Sequence, residues 1–115
     1  NDMSVAAQNK DYRTQLYEKM KKAGVMVVSN PTAYIDHARK EYMVPSHNSI
    51  TPVDEMVPSG ITVALGTDNI ADLHKPLTDG DMWIELRLLL EACRFQDVDK
   101  LVDIATINGR KVLGL

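Results

Sequence analysis

The sequence has few of the features that mark membrane, secreted or nucleic-acid-binding proteins. Its 115 residues include a single cysteine, Cys93, so no intrachain disulfide can form, and a reducing, cytoplasmic location is expected. No apolar stretch approaches the ~20 residues that span a bilayer, so no membrane partner is expected. The net charge is −3 and aromatic residues make up 5% of the chain, which argues against a basic, stacking surface for nucleic acid.

The composition that is present is that of a globular domain, with 44% hydrophobic and 25% charged residues. The first residues, NDMSVAAQNK, lack the basic and apolar regions of a signal peptide and do not begin with methionine. We therefore expect residues 1–115 to form one partial domain, from a processed chain or a fragment. Cys93, in the context RLLLEACRF, is expected to be a buried helix thiol rather than a reactive one.

Helical patterns occur at both ends of the chain. Residues 11–23 predict a helix with Asp11 as its cap and Tyr12 on its apolar face. Residues 81–95 predict the longest helix, with Trp83 packed on a neighbouring element. These helices are long enough to cover the faces of a sheet.

Two short apolar runs, at 25–28 and 61–65, predict strands that helices cover on both faces. Alternation of helices and such strands is typical of an α/β fold with a parallel sheet. Two strands leave exposed edges, so the sequence predicts a piece of a larger sheet.

The second predicted strand runs directly into Thr67, Asp68 and Asn69. In parallel α/β folds, ligands gather at the carboxyl ends of strands, where a carboxylate can ligate a divalent metal or take a proton from water. The alternative is that Asp68 caps the turn that follows, helped by its polar neighbours. One aspartate is not a metal site, since three or four ligands are needed, and the local pattern leaves both interpretations open.

The three histidines do not form a metal-binding pair of the His-x-His or His-x-x-x-His kind. His74 lies six residues after Asp68 and reaches the same pocket if the loop folds back; a solvated loop position is the alternative. His37 and His47 lie in the irregular segment 29–50, which is interpreted either as a functional loop or as a surface excursion.

Three phrases carry a family resemblance: GVMVVSNP, ITPVDEMVPSGITVALGTDNIADLHKPLTDGDMW and the closing INGRKVLGL. Together they resemble the C-terminal part of the cytosine-deaminase branch of the amidohydrolase superfamily. These enzymes are (β/α)8 barrels with a divalent metal at the carboxyl ends of the strands. The resemblance covers nearly the whole chain and implies that the two predicted strands are the seventh and eighth of a TIM-like barrel. A full barrel takes ~200–250 residues, so the barrel is incomplete in this sequence.

The resemblance also implies roles for four side chains. Asp68 matches the aspartate after the eighth strand, which ligates the metal and helps to carry the proton of the attacking water. Asn69, His74 and Asn30 fall where groups that bind the substrate line the pocket, although the family commonly has an aromatic residue at the position of His74. The remaining metal ligands and a proton-carrying glutamate lie outside the sequence.

The implied function is metal-dependent hydrolysis that removes an amino group from a cyclic amidine or amino-heterocycle, with zinc or iron in the complete enzyme. The isolated 115 residues are expected to retain neither the metal nor the activity. The expected partners are a small heterocyclic substrate, the N-terminal part of the same barrel and further copies in a homo-oligomer. Two alternatives remain open: an amidohydrolase of N-alkylamino-triazine-like or cyclic amide substrates, and a small non-enzymatic α/β interaction domain.

Overall fold

A computed structural model of the protein describes residues 9–35 and 50–115. In these ranges the elements are α1 (Lys10–Lys22), β1 (Val27–Ser29), α2 (Pro31–Tyr34), α3 (Val53–Met56), β2 (Val63–Leu65), α4 (Met82–Glu91), α5 (Val98–Ala105) and α6 (Ile107–Val112). No helix in the described part of the chain has the length and apolar character needed to cross a bilayer. His37, His47 and most of the irregular segment in which they lie fall outside the described residues.

The two strands pair in parallel, as their sequence patterns predict. Val27 lies opposite Val63, and Ser29 lies opposite Leu65. Because both strands run in the same direction, the segments that follow them leave the sheet at one edge. This edge is where a parallel α/β fold binds its ligands.

Strand β1 starts two residues later than predicted because helix α1 ends in a Schellman motif. Gly24 adopts a left-handed φ of +67°, and the Val25 N–H donates to the Met20 carbonyl at 2.9 Å. Val25 therefore belongs to the helix end. The prediction that β1 is buried on both faces is also wrong, because Val28 is 45% exposed whereas Ser29 is fully buried.

Helix α1 is capped by Asn9 rather than by Asp11. The Asn9 side chain accepts the Tyr12 N–H at 2.9 Å, which satisfies one of the donors that a helix start leaves unpaired. The buried residue of this helix is Tyr17, and Tyr12 is half exposed. The predicted apolar face is therefore rotated, because Tyr17 turns inward to reach Glu55.

Strand β2 lies at the centre of the core. Its three residues are all buried, and helices α4, α5 and α6 contact it. The buried core consists of Tyr17, Ile50, Val53, Met56, Ile61, Val63, Leu65, Leu89, Phe95, Leu101 and Ile104. Burial of each large apolar side chain contributes about 1.5–3 kcal/mol, so this packing fixes the direction in which β2 ends.

Helix α4 is shorter than predicted and turns an acid toward the interior. It has 10 residues, against 13 in α1, so α1 is the longest helix described. Its buried residues are Glu85 and Leu89, whereas Trp83, predicted to pack on a neighbour, is 78% exposed. Cys93 lies just beyond the end of this helix, where burial raises the pKa of its thiol to about 11 and keeps it protonated.

The last helix contacts the side of β2 that faces away from β1. Asn108, in α6, donates from Nδ2 to the Val63 carbonyl at 2.9 Å. The backbone groups of Thr62 and Gly66 bond to β1. Because the backbone groups of successive residues point to alternate sides of a strand, those of Val63 point away from β1. The Asn108 amide thus satisfies a backbone group that has no strand partner in the described part of the chain.

A partly buried ion pair ties α1 to α3. Arg13 donates to both carboxylate oxygens of Glu55, each at 2.7 Å, and the Tyr17 hydroxyl donates to the same carboxylate at 2.9 Å. The bonds from Arg13 are the main cause that lowers the pKa of Glu55, while burial, followed by the bond to Glu55, raises the pKa of Tyr17. Two parallel bonds from one guanidinium fix the geometry of the pair.

Replacement of Glu55 by Gln should lower the free energy of unfolding by about 1–2 kcal/mol, because a charged hydrogen-bond acceptor is lost. The pKa of Glu55 is lower in the folded chain than its ordinary value of 4.5. Its contribution to stability should therefore be complete above that ordinary value and be lost as the pH falls through the folded value. Urea unfolding at neutral and acid pH measures both effects. The control is Glu91→Gln, since Glu91 pairs with Arg87 on the exposed face of α4, and equal losses in the two variants would contradict the prediction.

Candidate functional site

The carboxyl ends of the two strands are joined by Asn30. The Gly66 N–H donates to the Ser29 carbonyl at 2.9 Å, which extends the parallel pairing beyond the strands. One end of the Asn30 amide faces the carbonyl oxygens of Gly66 and Ser29 at 3.2 and 3.3 Å, so that end is the NH2 group, which donates to them. Asn30, a predicted substrate-binding residue, is therefore a bridge between strand ends, and its role toward a substrate stays a prediction.

The close approach of Asn30 requires glycine at position 66. A β-carbon on Gly66 would lie 2.5 Å from the Asn30 amide and 2.9 Å from Val28 Cγ1. Beside it, the hydroxyl of Ser29 is buried and has no hydrogen-bond partner within the described ranges. The strand ends are thus tightly packed.

Asp68 follows β2 in a strained backbone conformation. Its φ is +60°, in the left-handed region that costs a non-glycine residue roughly 1–2 kcal/mol, although aspartate is among the residues that tolerate it best. The residue is exposed, and its side chain has no hydrogen-bond or ion-pair partner among the residues that the structure describes. Strained positions of this kind cluster at functional sites.

The turn after β2 is capped by Asp72 and not by Asp68. One oxygen of Asp72 accepts the N–H groups of His74 and Lys75, each at 2.8 Å, and the other accepts from the Asn69 amide. The bond from Asn69 is the main cause that lowers the pKa of Asp72. Two predicted substrate-binding residues therefore bond to Asp72: Asn69 through its side-chain amide and His74 through its backbone N–H. His74 is exposed.

Further bonds close this loop on itself. The Thr78 hydroxyl lies 2.9 Å from the carbonyl oxygens of both Asn69 and Lys75, and the Ala71 N–H donates to the Thr78 carbonyl at 2.8 Å. The loop that carries Asp68 is therefore ordered by its own polar groups.

A buried acid that sequence reasoning missed lies next to this loop. Glu85 is 2% exposed and accepts the Thr32 N–H at 2.9 Å and the Thr32 hydroxyl. A cavity of about 110 Å³, lined in part by Thr32, Gly80, Ile84 and Glu85, adjoins the pair. The sequence does contain a sign of this burial, since Glu85 lies four residues before Leu89 and therefore on the same face of the helix. A charged side chain on a buried face needs a partner.

The described residues offer no complete metal site. Within residues 9–35 and 50–115, no group of three His, Cys, Asp or Glu side chains lies close enough together to hold a metal ion. The other acids near the loop are engaged, since Asp72 and Glu85 accept the bonds above, Asp79 accepts the Asp81 N–H at 3.0 Å and Asp81 accepts the Trp83 N–H at 2.8 Å. Asp68 is the acid of this region that remains available as a ligand or proton acceptor.

A parallel β/α unit with an unpartnered carboxylate at its carboxyl edge has the arrangement found in α/β-barrel enzymes. Residues 9–115 match the amidohydrolase family, and the chain belongs to that family. The predicted resemblance to cytosine-deaminase-like amidohydrolases is confirmed by this match together with the solved structures below.

The fold is similar to crystal structures of 5-methylcytosine deaminase from Klebsiella pneumoniae. The structure liganded with 5-fluorocytosine is 27% identical, with a TM-score of 0.81 over 93% of this chain and 27% of the deaminase. The structure liganded with phosphonocytosine has a TM-score of 0.79 over 91% of this chain and 26% of the deaminase. The α/β-barrel class is therefore supported, while the assignment of β1 and β2 to the seventh and eighth strands stays a prediction.

Two uncharacterized proteins from Haemophilus influenzae are also similar. One is 50% identical over 56 residues, which is 49% of this chain and 20% of that protein. The other is 62% identical over 40 residues, which is 35% of this chain and 89% of that protein. The chain thus spans about a fifth of the first relative and about a quarter of the deaminase.

Replacement of Gly66 by Ala should lower the free energy of unfolding by about 1–3 kcal/mol, because the new methyl group overlaps the Asn30 amide and Val28. The matched control is Gly109→Ala in helix α6, where a β-carbon would meet no atom within 4 Å. That variant should be neutral or more stable by up to ~1 kcal/mol. Thermal unfolding followed by circular dichroism compares the two. A Gly66→Ala variant as stable as the parent would show that the strand ends are not tightly packed.

Proposed function

We propose that this chain supplies the catalytic aspartate, Asp68, of a metal-dependent hydrolase that releases the amino group of a cytosine-like heterocycle. The supporting observation is the state of Asp68: it lies at the carboxyl end of β2, in a strained conformation and without a partner among the described residues. Membership of the amidohydrolase family favours an enzyme over a non-enzymatic interaction domain.

The competing interpretation of Asp68, as a turn former, has less support. A turn former accepts nearby backbone N–H groups, and in this loop Asp72 accepts them. Asp68 shares its left-handed backbone with Ala71 of the same loop, but its carboxylate gains no hydrogen bond from the turn and lacks a partner among the described residues. A ligand that binds the carboxylate provides one.

The residues present fit one part of a divalent metal site. Asp68 offers carboxylate oxygens, which both zinc and iron accept as ligands, and the remaining ligands come from outside the described residues. When bound, such a metal supplies Lewis acidity, which makes water a nucleophile near neutral pH. Because one carboxylate cannot hold the ion, we expect the 115-residue chain by itself neither to retain metal nor to turn over substrate.

In this proposal Asp68 handles protons during the reaction. Its carboxylate accepts a proton from the attacking water and passes a proton to the departing nitrogen, which leaves as ammonia or an amine. The exposure of Asp68 and the absence of a competing donor within the described ranges leave its oxygens able to accept that proton. Asp72, which already accepts three hydrogen bonds, is a poorer base because its pKa is lowered.

The proposed substrate class is an amino-heterocycle, because the similar solved structures are deaminases that contain cytosine analogues. A panel on the complete enzyme that contains this chain tests the proposal: cytosine, 5-methylcytosine, an N-alkylamino-triazine and a cyclic amide. We expect ammonia release from the two pyrimidines to be fastest. Faster release of an alkylamine, or ring opening of the cyclic amide, would assign the enzyme to the alternative amidohydrolase activities.

Replacement of Asp68 by Asn in the complete enzyme should lower kcat by about 10²–10⁴-fold, because the general base and one metal ligand are lost together. The charge-matched control is Asp99→Asn, in the first turn of α5, which should retain activity within a few-fold. Steady-state release of ammonia measures both variants.

A second substitution separates activity from folding. Asp68→Gly removes the carboxylate and relieves the left-handed strain, so it should be as inactive as Asp68→Asn but at least as stable as the parent. Turnover by either variant within a few-fold of the parent would overturn the catalytic assignment.

A further inference from the structure

Glu85 is the buried acid for which neither a catalytic nor a capping role has been described. It lies in the first turn of α4, is 2% exposed, and directs both oxygens to the backbone N–H and hydroxyl of Thr32. A buried carboxyl group is costly unless hydrogen bonds replace its water. Thr32 provides two such bonds from a single residue.

The pair joins the two segments that leave the sheet at its carboxyl edge. Thr32 belongs to α2, which starts two residues after β1, and Glu85 belongs to α4, which follows the loop after β2. The two helices contact each other, and the adjoining cavity separates them from the tip of the loop. The bond therefore sets the position of the first segment relative to the second.

A short series of contacts leads from this pair to Asp68. Thr32 lies in the single turn that Asn30 starts, and the Ala33 N–H donates to the Asn30 carbonyl at 3.2 Å. The Asn30 amide in turn donates to the Gly66 carbonyl at 3.2 Å. Gly66 is two residues from Asp68. A displacement of Thr32 would reach Asp68 through Asn30 and Gly66.

We propose that Glu85 is a positioning residue: through Thr32 and Asn30 it holds the end of β2, and with it Asp68, in the geometry that the reaction needs. The inference rests on the proposed function where it concerns catalysis. The alternative is that Glu85 stabilises the fold as a whole without any particular effect on the strand ends. The two interpretations predict different effects of replacing Glu85: the first predicts a local effect at the strand ends, and the second predicts an equal effect on the whole fold.

The first test uses amide hydrogen exchange in the complete enzyme that contains this chain and needs no measurement of activity. Glu85→Leu should speed exchange of the Gly66 N–H, which donates to Ser29, about tenfold more than exchange of amides in α5. Leu101→Ala, in the buried core of α5, is the destabilised control and should affect Gly66 no more than its surroundings. Parallel acceleration of all amides in Glu85→Leu would overturn the inference.

Conservative variants keep this test decisive if Glu85→Leu does not fold. Glu85→Gln retains an acceptor for the Thr32 N–H and a group that can pair with the hydroxyl, so Gly66 exchange should stay near that of the parent. Thr32→Val removes the hydroxyl but keeps the backbone bond, and should raise Gly66 exchange selectively; Thr32→Ser should restore it. Unchanged exchange in Thr32→Val would contradict the proposed route from Thr32 to Gly66.

The second test measures kcat and KM in the complete enzyme. Thr32→Val should lower kcat about 10- to 100-fold, with little change in KM, because misplacement of a catalytic group costs rate more than binding. Glu85→Gln, Thr32→Ser and the exposed control Glu91→Gln should stay within a few-fold of the parent. Retained kcat in Thr32→Val, beside a loss in Asp68→Asn, would overturn the positioning role alone. Retained kcat in Asp68→Asn would overturn the proposed function while leaving the exchange result intact.

Discussion

Parallel pairing between Val27–Ser29 and Val63–Leu65 places the two polar connections of this chain at one edge of the sheet. An antiparallel pair would put the segments after β1 and β2 at opposite edges, and Asn30 could not then reach Gly66. The pairing is held by the burial of β2 under three helices and by the Gly66–Ser29 bond just beyond the strands. The Asn30–Gly66 and Thr32–Glu85 contacts join the two segments that this arrangement brings together.

The acids near this edge differ in what they bind. Asp72 caps the loop, and Glu85 is buried against Thr32. Asp81 caps helix α4 through the N–H of Trp83. Each of these carboxylates accepts hydrogen bonds from within the chain, which is the ordinary use of an acid in a fold. Asp68 accepts none from the described residues, although its backbone is strained. The contrast between these neighbours, more than the presence of an acid after a strand, is what favours a catalytic role for Asp68.

Local pattern predicted the features of this fold that depend on neighbouring residues. The run at 61–65 gave the buried strand β2, and Asp68 was placed at its end. Errors arose where two local signals compete, as for Asn9 and Asp11, which are both good helix caps. They also arose where the partner is distant: Glu85 and Thr32 are 53 residues apart, so no periodicity within α4 could reveal why an acid is buried there. The exposure of Trp83 has the same origin, since α4 turns Glu85 inward.

The geometry of the strand ends depends on bonds that lie within this chain, although the chain spans 27% of the deaminase that it resembles. The Ser29–Gly66, Asn30–Gly66 and Thr32–Glu85 contacts all join the described ranges to each other. These contacts need no group from outside the described residues. Preorganisation of this kind lowers the cost of assembling a site, because the groups that meet at the edge need not be ordered at the moment of binding or reaction. A strained, unpartnered Asp68 is consistent with this principle, since its backbone is already held in the conformation from which a ligand would be bound.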